Sequence, residues 1–223
     1  MEDKKTAVLF GAGGLVGSHL LQELLASDRY AVVLTFVRRS TGIAHVKLRE
    51  RVHPLTDIGE IAGEIRGDDL FLCLGTTMKK AGSKEAFTKV DLELPWQIAS
   101  AAAQNGCSSL VLVSSIGADP GSSSFYLRVK GQLEKKLEVL PVRNKVFLRP
   151  SFLLGRRREF RLGETVGRAV WRFLEPLMTG RWKRYRSIEA ATVAKAMIRA
   201  AAFPEARCEV WESDRVAEEG SRQ

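Results

Sequence analysis

A tyrosine and a lysine, Tyr126 and Lys130, have the types and spacing needed for acid–base chemistry on a carbonyl group. Residues four apart lie on one face of a helix, so the ammonium group would stabilise a phenolate beside it. Ser115, which follows an apolar run, could hydrogen-bond the same substrate oxygen. Such a set protonates the alkoxide that forms when hydride reaches a carbonyl carbon. The same spacing also arises by chance in solvated helices, so the position of these residues in the fold must decide.

A glycine-rich turn near the start of the chain defines that fold. Gly11, Gly14 and Gly17 follow an apolar run that ends at Phe10, and they lead into a segment with helical periodicity. A turn from strand to helix offers backbone N–H groups to the pyrophosphate of a dinucleotide. We expect side chains at Gly11 or Gly14 to fill ligand space, and one at Gly17 to push the helix off the sheet. A tight turn without a ligand is the alternative.

Apolar runs and helical stripes alternate along the chain, which predicts an α/β fold with a Rossmann-type doubly wound parallel sheet. Strands are predicted over residues 7–10, 31–37, 46–52, 70–74, 110–113, 146–148 and 208–211. Helices are predicted over 14–26, 56–65, 85–105, from 126 onward, and over 189–202. The long helix is expected to be interrupted or tilted near Pro95. We predict a loop over 78–83 and a frayed tail from Glu212.

Two arginines, Arg38 and Arg39, follow the second predicted strand. An acidic residue there would bind the ribose 2′-hydroxyl of NAD, and the strand ends without one. A pair of guanidinium groups can bind a 2′-phosphate and stack on adenine. The sequence therefore predicts NADP(H) as the cofactor, with two solvated arginines at a strand end as the alternative.

The ligand of a doubly wound sheet lies across the carboxyl ends of its strands. Gly75 and Thr76 follow the fourth predicted strand and Ser114 follows the fifth, so we assign all three to cofactor binding. Tyr126 and Lys130 come after the same fifth strand. This position favours the catalytic interpretation of the pair, and Lys130 would also hold the nicotinamide ribose.

Bulk properties exclude several classes of protein. The 223 residues are 45% hydrophobic, which suits one α/β domain or a domain with a small cap. No apolar run reaches the roughly 20 residues that span a bilayer, and the charged N-terminus does not resemble a signal peptide. Three scattered cysteines argue for a reducing compartment, so we expect a cytoplasmic protein. The three histidines show no metal spacing, and we predict no metal site.

The net charge of +9 is compatible with a nucleic acid, an anionic membrane or a polyanionic cofactor. Much of the excess lies in the segment 156–186, where aromatic side chains such as Trp171 and Trp182 alternate with arginines. Such a segment can bind nucleic acid by stacking, or it can form a cap whose aromatic side chains pack around a small substrate. We favour a small C-terminal cap, formed by residues 151–187 of a single domain that spans 1–223.

Together these motifs resemble the atypical short-chain dehydrogenases/reductases, and among them the Tat-interacting-protein family of oxidoreductases. The resemblance extends over about residues 6–202. It rests on the residues of the glycine turn, Val37, Arg38 and Arg39, Cys73 to Thr77, Lys80 to Gly82, Val90 and Asp91, Ser114 and Ser115, Gly117 to Asp119, Tyr126 and Leu127, Val129 to Gly131, and Arg149 and Pro150.

The resemblance implies a Rossmann fold, NADPH at the carboxyl edge of the sheet, and Tyr126 as the catalytic residue beside Lys130. It also implies nucleotide contacts at Gly13, Gly14, Leu15, Val16, Arg38, Arg39, Leu74, Gly75, Leu153 and Arg161. Two stretches, 156–158 and 180–187, depart from the family pattern, which leaves the substrate open. Near Pro54 the chain also lacks the aspartate that holds adenine in many relatives.

We therefore predict an NADPH-dependent oxidoreductase that reduces a small carbonyl substrate. A redox-sensing or regulatory protein that binds NADPH and docks on a partner is the alternative, because a cofactor site can persist without turnover. The sequence also leaves open whether the protein forms a homodimer, since members of the superfamily often pair through helices that flank the sheet.

Overall fold

The computed structural model describes residues 4–155, 180–203 and 207–222. Its centre is a seven-stranded sheet in the order β3-β2-β1-β4-β5-β6-β9, with all neighbouring strands parallel. The strands are β1 (Lys5–Phe10), β2 (Tyr30–Val37), β3 (Leu48–Val52), β4 (Asp69–Leu72), β5 (Ser109–Val113), β6 (Asn144–Arg149) and β9 (Arg207–Glu212). The predicted Rossmann-type parallel sheet is confirmed.

Helices cover both faces of this sheet. The α-helices are α1 (Leu15–Ala26), α2 (Met78–Ala81), α3 (Lys84–Thr88), α4 (Leu94–Gln104), α5 (Phe125–Glu138), α6 (Ala190–Ala202) and α7 (Ser213–Ser221). Gly59–Glu64 and Gly180–Tyr185 form 3-10 helices, and Lys89–Glu93 forms a π turn. Two short strands, β7 (Leu153–Leu154) and β8 (Ile188–Glu189), pair outside the main sheet.

Strand β1 lies at the centre of the sheet, and this position explains why its sequence is continuously apolar. Ala7 and Leu9 belong to one apolar cluster, together with residues of α1 and α6. Val8 and Phe10 belong to a second cluster on the opposite face, with residues of α4 and α5. Successive side chains of a strand point to opposite faces, so a strand covered on both sides needs apolar residues at every position.

Two predicted helices have a different local structure. The helix predicted over 56–65 is the short 3-10 helix Gly59–Glu64, whose two glycines are weak helix formers. The long helix predicted over 85–105 consists of α3, the π turn and α4. Pro95 lies in the first turn of α4, directly after the π turn, so the helix is interrupted close to this proline as predicted. The loop predicted over 78–83 contains the short helix α2, which Thr77 caps and Gly82 ends.

The prediction of a frayed tail is wrong, because residues 213–221 form α7. Val216 is fully buried. A Cβ atom on Gly220 would lie 2.1 Å from the carbonyl oxygen of Thr192 in α6, so this glycine lets the two helices touch. The buried face of this helix is formed by Ser213, Val216, Glu219 and Gly220, and it carries too few apolar residues to stand out in the sequence.

The predicted cap falls largely on residues 156–179, which lie outside the described residues, as does Arg161. Its described parts are β7, β8 and the 3-10 helix Gly180–Tyr185. The cap therefore stays a prediction. Over the described ranges, the structure contains no helix with the length and apolar character of a membrane span.

Candidate cofactor and catalytic site

The glycine turn joins β1 to α1 at the carboxyl edge of the sheet. The Gly14 N–H donates to the Gly11 carbonyl oxygen at 2.9 Å, and Gly11 has a φ of +93°. A Cβ atom on Gly11 would lie 2.5 Å from the Cys73 carbonyl oxygen, and one on Gly17 would lie 2.1 Å from the Gly11 carbonyl oxygen. The missing side chain at Gly11 thus makes room for the chain after β4 and not for the ligand. The missing side chain at Gly17 allows α1 to lie close to the turn.

The outer side of the turn is open. Gly13 and Gly14 are exposed, and a Cβ atom on Gly13 would meet nothing within 4 Å. Gly14 is the N-cap of α1 and makes no side-chain cap, so the first N–H groups of the helix remain available to an anion. Leu15 and Val16 pack in the core, and contacts from them to a nucleotide would come from their backbone. These features fit a pyrophosphate.

Arg38 and Arg39 are exposed at the end of β2. The residues after them are held by Glu50 of β3, whose carboxylate accepts the Ser40 hydroxyl at 2.5 Å and the Thr41 hydroxyl at 2.6 Å. Burial would raise the pKa of Glu50, but the hydrogen bonds from Ser40 and Thr41 outweigh it and lower the pKa. The sequence alone does not predict this contact, because Glu50 belongs to the neighbouring strand. The predicted roles of the arginines stay predictions.

The segment after β4 lies against a buried ion pair. The Thr76 N–H donates to Asp91 Oδ2 at 2.8 Å, and Lys130 Nζ lies 2.7 Å from Asp91 Oδ1. A Cβ atom on Gly75 would lie 3.5 Å from Asp91 Oδ1 and 3.8 Å from Lys130 Nζ. Gly75 is exposed on its other side, and Leu74 is half-buried against the core. The structure therefore brings the predicted cofactor contacts Gly75 and Thr76 next to Lys130.

Tyr126 and Lys130 share one face of α5, as their spacing predicts. The Tyr126 side chain packs on Phe87 with ring centroids 5.9 Å apart, and the residue is 36% exposed. Lys130 is buried, and its Nζ lies 6.0 Å from the centroid of the Tyr126 ring. Burial would lower the pKa of Lys130, but the charge and hydrogen bond of Asp91, together with smaller contributions from Tyr126 and Glu134, outweigh burial and raise the pKa. The lysine is therefore held in its charged form beside the phenol.

The two serines after β5 have different surroundings. The buried Ser114 hydroxyl donates to Glu134 Oε1 at 2.5 Å, and Glu134 pairs with Arg149 at 2.6 Å. Ser114 is thus part of an internal network, and its assignment to the cofactor remains a prediction. The half-buried Ser115 hydroxyl donates a long hydrogen bond of 3.4 Å to the Ile116 carbonyl oxygen.

The loop that follows these serines is in direct contact with α5. A Cβ atom on Gly131 would lie 2.3 Å from the backbone of Asp119 and Pro120. This close approach fixes the loop beside Lys130. The resemblance included Gly131 but assigned it no role.

Leu153, another predicted nucleotide contact, lies in β7 opposite Ile188. It packs against the same apolar cluster as Leu15. A Cβ atom on Gly155 would lie 2.7 Å from Leu15 Cδ1, which places the end of β7 next to the first residue of α1. Leu153 is therefore close to the glycine turn.

A family model described as NAD(P)H-binding matches residues 11–156. The chain belongs to this family. Protein HTATIP2 of Rattus norvegicus is 34% identical over 198 residues, which are 87% of this chain and 80% of that protein. Protein FMP52, mitochondrial, of Candida albicans is 32% identical over 198 residues, 85% of each chain. The resemblance to the Tat-interacting-protein family is confirmed.

Solved structures show the same fold. MoeE5 in complex with UDP-glucose and NAD has a TM-score of 0.68 at 17% identity, over 92% of this chain and 74% of that one. The UDP-glucose 4-epimerase of Thermotoga maritima has a TM-score of 0.69 at 15% identity, over 93% and 76%. At such identities the likeness concerns the fold alone.

The expectation of a cytoplasmic protein is contradicted by the names of the FMP52 relatives. The FMP52 proteins of Candida glabrata, Candida albicans and Emericella nidulans are named as mitochondrial. The expectation came from the scattered cysteines, which indicate a reducing environment but do not distinguish one reducing compartment from another.

Asp91 is the site residue that the sequence reasoning missed. It belonged to the resemblance pattern and was given no role. A signal was nevertheless present, since Asp91 lies four residues after Phe87 and seven before Ile98, on the apolar stripe of a predicted helix. An acidic residue at a core position needs a partner, and here the partners are Lys130 and the Thr76 N–H.

Proposed function

We propose that this protein is an NADPH-dependent oxidoreductase that reduces a small carbonyl compound, with Tyr126 as the proton donor. The observation that carries the proposal is that Lys130 Nζ lies 6.0 Å from the centroid of the Tyr126 ring and 3.8 Å from where a Cβ atom on Gly75 would stand. A charged lysine, an accessible phenol and a cofactor-side glycine are the arrangement that hydride transfer to a carbonyl requires.

The open glycine turn and the uncapped first turn of α1 support the dinucleotide part of the proposal. When bound, NADPH supplies the hydride that reaches the carbonyl carbon. The backbone of Gly13 and Gly14 would hold its pyrophosphate, and the exposed guanidinium groups of Arg38 and Arg39 would hold its 2′-phosphate.

The chain itself manages the proton. The partly exposed Tyr126 hydroxyl donates its proton to the substrate oxygen as negative charge develops there, and Ser115 hydrogen-bonds the same oxygen. The Lys130 ammonium, kept charged by Asp91, stabilises the phenolate that results. Because Tyr126 is accessible, the phenolate can recover its proton from water.

The first test is Tyr126→Phe. The ring can keep its contact with Phe87, so we expect NADPH affinity within about threefold of the parent, while turnover falls by roughly 10²–10⁴ because the proton donor is gone. The readouts are fluorescence titration with NADPH and the initial rate of NADPH oxidation on a panel of aldehydes and ketones. Tyr30→Phe is the matched control, since Tyr30 lies at the amino end of β2, and it should retain turnover. A Tyr126→Phe variant as active as the parent would rule out this assignment.

Cofactor preference is tested by calorimetric titration with NADPH and NADH. We expect NADH to bind at least about 100-fold more weakly, equivalent to about 2.7 kcal/mol. The double substitution of Arg38 and Arg39 by Ala should abolish this difference and leave NADH affinity unchanged. Arg66→Ala, which removes an exposed arginine before β4, is the matched control. Equal affinities in the parent protein would remove the role assigned to the arginines.

A second function is a regulatory protein that binds NADPH without turnover. It rests on the open glycine turn and the uncapped first turn of α1, which can hold a dinucleotide whether or not turnover follows. In that case no carbonyl compound of the panel oxidises bound NADPH, and the protein is recovered with a stoichiometric partner. Turnover of any carbonyl compound that depends on Tyr126 excludes it.

A further inference from the structure

The Asp91 carboxylate is almost completely buried, since the residue is only 1% exposed. Each of its two oxygens has a polar partner. Oδ2 accepts the Thr76 N–H at 2.8 Å, and Oδ1 lies 2.7 Å from Lys130 Nζ. One buried carboxylate thus connects the segment after β4 with α5. These are the two parts of the molecule that must act together in the proposed reaction.

The carboxylate belongs to the π turn between α3 and α4. The N–H of Leu94 donates to the carbonyl oxygen of Lys89, five residues back, immediately before Pro95. Asp91 and Leu92 of this turn are both buried. Such π turns occur frequently at functional sites.

Within the part of the chain that the structure describes, few other charges face the Lys130 ammonium. On its own helix, Tyr126 and Glu134 contribute to its electrostatic environment. Glu134 is already paired with Arg149 of β6. The segment after β4 presents Gly75 and Thr76, neither of which titrates. Asp91 is therefore the counter-ion that offsets the burial of this lysine.

We propose, on the basis of the function above, that Asp91 is a positioning residue that keeps Lys130 charged and directed at the cofactor segment, and that it thereby sets the upper pH limit of the reaction. Without the carboxylate, a buried ammonium group would favour its neutral form. Asp91 acts through Lys130 and does not itself exchange a proton with the substrate.

The proposal gives a definite sign for the pH dependence. Asp91 Oδ1 lies 2.7 Å from Lys130 Nζ, and its negative charge makes the ammonium proton harder to lose. Removing that charge makes the proton easier to lose. The neutral amine that results cannot stabilise the phenolate that forms in the reduction. Activity should therefore decline at lower pH once Asp91 is neutral.

The experiment is Asp91→Asn, measured from pH 7 to 10.5. Two quantities are followed, namely kcat/KM on a carbonyl substrate and the Kd for NADPH. We expect the alkaline midpoint of both profiles to move down by about one pH unit or more, as is typical when a close charge partner is removed. Asp91→Glu keeps the charge, so its midpoints should stay with the parent even if affinity falls. Glu93→Gln, which neutralises an exposed acid on the same π turn, should leave both profiles unchanged.

The outcomes separate this proposal from the proposed function. If Asp91→Asn lowers activity but leaves the midpoints in place, Asp91 only supports the backbone at Thr76 and the proposal is wrong. If the parent turns over no carbonyl compound, the reductase function is lost, and the midpoint of NADPH binding alone decides the role of Asp91. Should the Asn variant fail to fold, Asp91→Ser removes the same charge and can still accept the Thr76 N–H.

Discussion

Two buried carboxylates at opposite edges of the sheet have similar surroundings and different consequences. At the amino edge, Asp69 is fully buried and lies within 3.3 Å of Lys5 and Arg29. It also accepts the Tyr30 hydroxyl at 2.8 Å. At the carboxyl edge, Asp91 pairs with Lys130. Each site thus combines an aspartate, cationic groups and a nearby tyrosine.

The two sites differ in what holds the phenol. Tyr30 is fully buried and donates to Asp69, and its pKa is raised by burial and by the Asp69 charge, with Arg29 opposing. Tyr126 is 36% exposed and its charged neighbour is an ammonium group. The same chemical groups retain a proton at one edge and leave a phenol accessible at the other. Ligands of parallel sheets bind at the carboxyl edge, where the accessible phenol lies.

The largest effect on stability is expected for Asp69→Asn. Asp69 has several charge-assisted partners, and we expect the free energy of unfolding to fall by about 2–4 kcal/mol, since the cations are partly exposed and can regain water. Urea unfolding at pH 7 measures this loss. NADPH affinity, measured well below the unfolding midpoint, should stay within about twofold of the parent because the cofactor segment is at the other edge. A large change in affinity would mean that the two edges are coupled, and it would remove the contrast between them.

Much of the fold could be predicted because its signals are local. The apolar run before the glycines, the spacing of Gly11, Gly14 and Gly17, and the helical periodicity after them identify β1, the turn and α1. The spacing of Tyr126 and Lys130 similarly places both on one face of α5. Each of these predictions depends on residues within one or two turns of each other.

The partners of the buried charges could not be predicted in this way. Tyr30 and Asp69 are 39 residues apart, and their contact depends on the register of β2 and β4 about β1. Asp91 and Lys130 are likewise 39 residues apart in the sequence, and their contact depends on how the π turn and α5 pack together. Periodicity also treats charged residues as exposed, which is why both aspartates and the helix α7 escaped notice.

A smaller effect is expected for Tyr30→Phe, which tests the proton-retaining half of the comparison. At pH 7 the loss of the hydrogen bond to Asp69 should lower the free energy of unfolding by about 1–2 kcal/mol. The raised pKa of Tyr30 means that the unfolded chain loses the phenol proton before the folded protein does. This contribution to stability is complete below about pH 10 and is lost as the pH rises further. The Tyr30→Phe variant has no phenol at this position, so its stability does not fall with pH for this reason.

The difference between parent and Tyr30→Phe should therefore shrink between pH 9 and pH 11, as measured by urea unfolding at several pH values. If the Tyr30→Phe difference were constant with pH, Tyr30 would ionise as readily in the folded protein as in the unfolded chain. Asp69 would then not retain the phenol proton, and the two tyrosines would differ in burial alone.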